Sequence, residues 1–145
     1  MARYDRVIKN GMIIDGTRLP RYQGDIGIKN GVIANIGHID GMDADEVIDA
    51  DGLIVAPGFV DLHTHLRDPG QEWKETISTG TRAAAHGGFT TVCAMPNTDP
   101  VQDSASVVLD VIRRSAADGV VRVLPIGAIS LSQQGKQLAP MIELA

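Results

Sequence analysis

Residues 57–70 read PGFVDLHTHLRDPG, and the character of the chain changes across them. Downstream, strand-like and helix-like segments alternate. GFVDLH (58–63) has the make-up of a short strand, and residues 72–86 read as a helix ended by Gly87-Gly88. FTTVCAM (89–95) is rich in β-branched residues and reads as a buried strand. SASVVLDVIRRSAAD (104–118) places Val107, Val108, Val111 and Ile112 on one helical face, with Ser104 as N-cap and Gly119 as the residue after the helix. VVRVLPIGA (120–128) is a third buried strand, and residues 136–145 read as the start of a third helix. Such alternation predicts parallel βα units, so the fold class is α/β.

Upstream, the chain reads as β. VIKNGMIID (7–15) and IGIKNGVIANIG (26–37) each place Asn-Gly between apolar runs, and EVIDADGLIVAPG (46–58) does the same with Asp51-Gly52. Asn-Gly and Asp-Gly suit tight hairpin turns whose central residues need positive φ. Three hairpins are therefore expected, in a small β sandwich or sheet. The expected division is a β subdomain over residues 1–56 and a βα domain over 57–145. Three βα units close no known barrel, because a (β/α)8 barrel needs roughly 250 residues. The sequence also ends inside the expected third helix. The reading is an incomplete barrel, the N-terminal part of a longer protein.

Composition narrows the function classes. The chain has 145 residues, 43% hydrophobic and 21% charged, which is ordinary for a globular protein. A formal net charge of −5 argues against nucleic acid or an anionic membrane as partner. No apolar run reaches the length of a membrane span, and MARYDRVIKNG lacks the apolar core of a secretory signal. With Cys93 alone, no intrachain disulfide can form, which fits a reducing cytoplasm.

Two of the four histidines, His63 and His65, lie one residue apart. Side chains alternate across a strand, so Asp61, His63, His65 and Arg67 would share one face if the strand persisted. Two residues span roughly 6.6 Å, close enough for two imidazoles to meet on one metal ion. Both would stand at the C-terminal end of a strand, where βα folds carry their chemistry. The plainer alternative is a pair of polar residues at a strand end, satisfied by hydrogen bonds.

PGFVDLHTHLRDPG, followed by GGFTTVCAMPNTDP at 87–100, closely resembles the class I dihydroorotases of the amidohydrolase superfamily. The resemblance implies a β domain built around a (β/α)8 barrel, and a zinc-dependent enzyme with two metal ions in the complete protein. It implies that His63 and His65 ligate zinc and that His65, Arg67 and Asn97 contact the substrate. Arg67 would grip the substrate carboxylate, since a guanidinium offers two parallel hydrogen bonds. The implied reaction is reversible hydrolysis of dihydroorotate to N-carbamoyl-aspartate in pyrimidine biosynthesis. The catalytic acid/base and the group bridging the metals are expected beyond residue 145, so this chain alone should be inactive. Homo-oligomers or a complex with a transcarbamoylase are also implied. Asn97 and Arg67 favour dihydroorotate over the substrates of allantoinases and hydantoinases. A non-catalytic scaffold or binding protein stays open as a second class.

Other polar residues carry plainer readings. His86 would complement a helix C-terminus, and His38 lies in a polar loop without an assigned role. Cys93 is read as a small core residue and Trp73 as packing the first helix against the barrel. Asp61 could orient a histidine, Asp68 could order its loop, and DGMDADE (40–46) reads as a solvated acidic loop.

Overall fold

The computed structural model describes residues 3–40 and 44–144. It divides into two compact units, Met1–Pro57 and Gly58–Ala145.

The first unit is one mixed sheet, not a sandwich. Strands β1 (Tyr4–Ile13), β2 (Tyr22–Lys29), β3 (Val32–Gly37) and β4 (Ala44–Asp49) lie in the order β3-β2-β1-β4, and β5 (Ile54–Val55) also pairs with β1. Of the three expected hairpins, one forms. Lys29 pairs with Val32, and Asn30 (φ 52°) and Gly31 (φ 76°) make the tight turn between β2 and β3.

The identical string IKNG at 8–11 does something else. β1 runs straight through it, with Ile8 opposite Ile26 and Gly11 opposite Gly24. Three steps on β1 thus face two on β2, which is a β-bulge. Asn10 takes φ 61° there. Its amide donates to Asp25 Oδ1 at 2.9 Å, and its side-chain amide donates to Asp49 at 3.0 Å. A hairpin needs its two arms to face each other, and these partners hold both arms in one strand.

The third expected hairpin is also absent. β4 and β5 both run parallel to β1, Val47 opposite Val7 and Ile54 opposite Met12. Between them Leu53 N donates to Ala50 O at 2.9 Å, and of the central pair Gly52 alone takes positive φ, 74°. That is the pattern of a type II turn, which does not fold strands back on each other as type I′ does. Tyr4, Val7 and Ile39 form the buried cluster of this unit. Of the expected acidic loop, residues 41–43 lie outside the described residues, and Ala44 already opens β4.

The second unit is the alternating α/β part. Strands β6 (Phe59–Thr64), β7 (Phe89–Ala94) and β8 (Arg122–Pro125) form a parallel sheet in that order. Helices α1 (Ile77–His86) and α2 (Ala105–Asp118) connect them. A 3-10 turn at Leu131–Gln133 and a short α3 (Met141–Leu144) follow. The helix expected over 136–145 is thus confined to α3 among the described residues.

Helix α1 starts at Ile77, five residues later than the expected helix over 72–86. Thr76 Oγ1 accepts from the Thr79 amide at 3.0 Å, and Thr79 Oγ1 accepts from the Thr76 amide at 3.1 Å. This reciprocal cap satisfies amides that the first helical turn leaves open. Residues 72–74 form a turn ahead of the helix, and Trp73 in it is 76% exposed rather than packed. Lys74 Nζ lies 5.5 Å from the Trp73 ring centre.

Ser104 does occupy the N-cap of α2, but its hydroxyl pairs with that of Ser106. Gly119 closes the helix in extended backbone, φ −78°, not in the left-handed form. On α2, Val111 is buried and Val107 and Val108 half-buried, while Ile112 is exposed. Cys93 is half-buried. Leu66, Ile77, Val92, Ala94 and Val111 make the core of this unit. Burying each large aliphatic side chain contributes about 1.5–3 kcal/mol. Leu66 and Ile77 flank the loop that follows β6, so the core anchors that loop at both ends. No helix among the described residues is long and apolar enough to cross a membrane.

Candidate metal and substrate site

The candidate residues lie where β6 and β7 end. β6 is bulged near its end, because Asp61 faces Val92 and Thr64 faces Ala94. A bulge re-aims the side chains it contains, and His63 lies within it. Asp61 Oδ1 accepts from the His63 backbone amide at 3.0 Å. It therefore fixes the backbone of the bulge and does not hold an imidazole nitrogen, as the sequence reading allowed. β6 stops at Thr64, so Asp61, His63, His65 and Arg67 do not share one continuous strand face. The two imidazoles nevertheless converge: their centres lie 5.1 Å apart at an interplanar angle of 64°. Both rings are exposed.

Across the gap between the two loops, His65 Nδ1 meets Asn97 Oδ1 at 2.9 Å. With the amide oxygen accepting, Nδ1 carries the proton and Nε2 the lone pair, which is the form a metal ion takes. Neutral imidazole nitrogens are good donors for Zn²⁺. The pair fits a metal ion on its donor chemistry and supplies two donors. Among the described residues, no group of three or more His, Cys, Asp or Glu side chains adds to them.

Arg67 follows two residues on, in the left-handed conformation at φ 63°. That region is sparsely populated for residues other than glycine, and such backbone persists only when the surroundings hold it. Its guanidinium lies 3.5 Å from the Asn97 carbonyl oxygen. Gln71 Nε2 donates to the same oxygen at 3.1 Å, and Lys74 Nζ donates to Gln71 Oε1 at 2.8 Å. Asn97 is thus held through its carbonyl and its side-chain oxygen, and its side-chain NH₂ remains to serve a ligand.

The loops are also zipped by backbone. Met95 N donates to Thr64 O at 2.8 Å, and Asp99 N to Pro69 O at 3.0 Å. Gly70 sits so close that a Cβ there would lie 1.8 Å from Asp99 O, and its φ is +90°. Only glycine suits that position. Asp68 is buried, accepting from Arg114 Nη1 at 3.0 Å and from the Ile77 amide at 3.4 Å. The sequence reading brought His63, His65, Arg67 and Asn97 to the same strand ends, and the structure brings His65, Arg67 and Asn97 together. It missed Gln71 and Arg114, whose contacts to Asn97 and Asp68 join residues far apart in sequence and leave no spacing signal. The exposed His86 ends α1 and does not enter this group.

The second unit is thus a run of parallel βα units with two imidazoles meeting at the end of its first strand. The chain belongs to the Dihydro-orotase-like family, whose profile matches residues 52–145. The dihydroorotase of Caldanaerobacter subterraneus subsp. tengcongensis is 53% identical over 139 residues, covering 95% of this chain and 32% of that protein. The L-hydantoinase (dihydropyrimidinase) of Arthrobacter aurescens superposes with a TM-score of 0.77 at 29% identity, over 88% of this chain and 28% of that one. The N-acyl-D-glutamate deacylase of Bordetella bronchiseptica, solved with zinc and a phosphonate inhibitor, gives 0.64 at 29% identity, over 86% and 29%. The chain spans about a third of the length of the curated relatives it matches.

Proposed function

We propose that this chain is the opening portion of a zinc-dependent cyclic amidohydrolase of dihydroorotase type, interconverting dihydroorotate and N-carbamoyl-aspartate in pyrimidine biosynthesis. On this reading residues 1–56 form an accessory β subdomain, and residues 57–145 begin the catalytic barrel. The observation that carries the reading is the convergence of His65 and Arg67 on Asn97. It sets an imidazole and a guanidinium around one amide, which suits a metal ion held beside a substrate carboxylate. The dihydroorotase relatives support it.

A bound zinc would supply a water of lowered pKa and polarise the ring carbonyl. His63 and His65 would hold it, with Asn97 keeping the His65 proton on Nδ1. Arg67 would take the substrate carboxylate in two parallel hydrogen bonds. Asn97 Nδ2 would donate to the same end of the ring. The proton for the leaving nitrogen must come from a group outside these residues, so the 145-residue chain alone is expected to be inactive. The compartment that fits is the cytoplasm, with homo-oligomers or a transcarbamoylase complex as its assembly.

The L-hydantoinase likeness favours a neutral ring as the competing substrate. Assaying the complete gene product with dihydroorotate and with unsubstituted hydantoin separates the two. We expect dihydroorotate to be preferred by about 100-fold or more in kcat/KM, as befits a charge-assisted contact of about 3 kcal/mol. Arg67→Met should erase most of that preference. Equal turnover of both rings by the unaltered protein would refute the carboxylate assignment.

A further inference from the structure

We propose that Arg114 is a positioning residue, a clamp from α2 that holds the Arg67–Glu72 loop in its substrate-binding form. The proposal rests on the carboxylate role given to Arg67 above. Arg67 needs outside support for φ 63°, and among the described residues its own guanidinium makes one hydrogen bond, the 3.5 Å contact to Asn97. The support on the α2 side is its neighbour Asp68, whose carboxylate is buried. Oδ1 of Asp68 accepts from Arg114 Nη1 at 3.0 Å, while Oδ2 accepts from the Ile77 amide, in the first turn of α1, at 3.4 Å.

Arg114 is in turn aimed by its own helix. Its Nε donates to Asp110, one turn earlier, at 2.7 Å, and Nη1 lies 3.8 Å from Glu72. Glu72 accepts from the Gly70 amide at 2.9 Å. One guanidinium thereby faces carboxylates at both ends of the loop. On the other side the loop is pinned to the segment after β7 by Asp99 N to Pro69 O. A planar guanidinium holds Asp110 and Asp68 on different nitrogens at fixed angles, which a single ammonium does not reproduce. None of the contacts of Arg114 involves His63, His65, Arg67 or Asn97 directly. It acts through Asp68.

The test uses the complete gene product with Arg114→Ala, Arg114→Lys and, as a milder probe of the same clamp, Asp110→Asn. Two readouts are taken: KM and kcat for dihydroorotate, and hydrogen exchange at the Gln71 and Asp99 amides against those of β7. Expected for Arg114→Ala is a rise in KM of about tenfold with kcat changed by less than about threefold and bound metal unchanged. Exchange at Gln71 and Asp99 should speed about tenfold while β7 stays protected, and Arg114→Lys should fall between. Unchanged KM with unchanged exchange would overturn the clamp. So would a parallel loss of kcat, metal and β7 protection, which marks a general structural role. If Arg114→Ala fails to fold, Asp110→Asn must raise KM in the same selective way or the clamp is refuted. Absence of dihydroorotate turnover in the unaltered protein would sink the functional reading instead, and the exchange result alone would then decide the clamp.

Discussion

Replacing Asp25 with asparagine should unfasten the N-terminal sheet, because one buried carboxylate answers three donors there. Lys9 Nζ donates to Oδ2 at 2.7 Å, the Ile39 amide to Oδ2 at 2.9 Å, and the Asn10 amide to Oδ1 at 2.9 Å. Burial by itself would raise the Asp25 carboxyl, but Lys9 and the two amides outweigh it and hold the pKa at about 2. His38 approaches Oδ2 only to 3.9 Å and is almost fully exposed. Asparagine can keep the Asn10 contact through Oδ1. Its NH₂ then faces the Lys9 ammonium and the Ile39 amide, donors against a donor.

Removing one partner of a buried pair costs about 3–5 kcal/mol. Lys9 keeps the Ile39 carbonyl at 2.6 Å and some water, which points to the low end, about 3 kcal/mol. The pH dependence has a definite sign. A folded pKa below the unfolded value of about 3.9 gives stability that is present above that value and lost as pH falls toward about 2. A shift from about 3.9 to about 2 contributes about 2–3 kcal/mol. Urea unfolding followed by circular dichroism on wild type and Asp25→Asn, from pH 7 to pH 2, measures both. The gap should be about 3 kcal/mol at neutral pH and should narrow below pH ~4. A neutral-pH gap under about 1 kcal/mol, or one that does not change with pH, would refute the reasoning.

Two further outcomes follow from the site. Gly70→Ala should destabilise the second unit by more than about 1 kcal/mol, since its Cβ would strike Asp99 O and its φ is positive; thermal melting should show a midpoint lower by about 4 °C or more. Asn97→Ala removes the acceptor that fixes the His65 tautomer, and zinc affinity measured by chelator competition should fall about 10–100-fold. Unchanged affinity there would mean that Asn97 does not orient the imidazole.

Much of the second unit was legible because its signals are local. The strand at 59–64, the β-branched strand at 89–94 and the apolar stripe of α2 each follow from residue type and period. The late start of α1 was legible in principle, in the Thr76–Thr79 pair that caps it, because Glu72, Lys74 and Glu75 ahead of it carry no apolar helical face. The first unit was harder to read. IKNG forms a hairpin at 28–31 and a bulge at 8–11, and the difference lies in partners distant in sequence, Asp25 and Asp49. Asp51-Gly52 likewise turns without reversing the chain, because β1 offers β4 and β5 the same edge in parallel. At the site, HxH and the arginine two residues on mark the position, but the bulge at His63 and the left-handed Arg67 come from the packing of loop on loop.

The central claim is that His63 and His65 hold the metal on which turnover depends. The most direct measurement is elemental analysis of zinc in the complete gene product and in its His63→Ala/His65→Ala variant, each with its dihydroorotate turnover. The account predicts bound zinc and turnover in the unaltered protein, with both lost from the variant while its circular dichroism is retained. A variant that keeps full zinc content and turnover would contradict it.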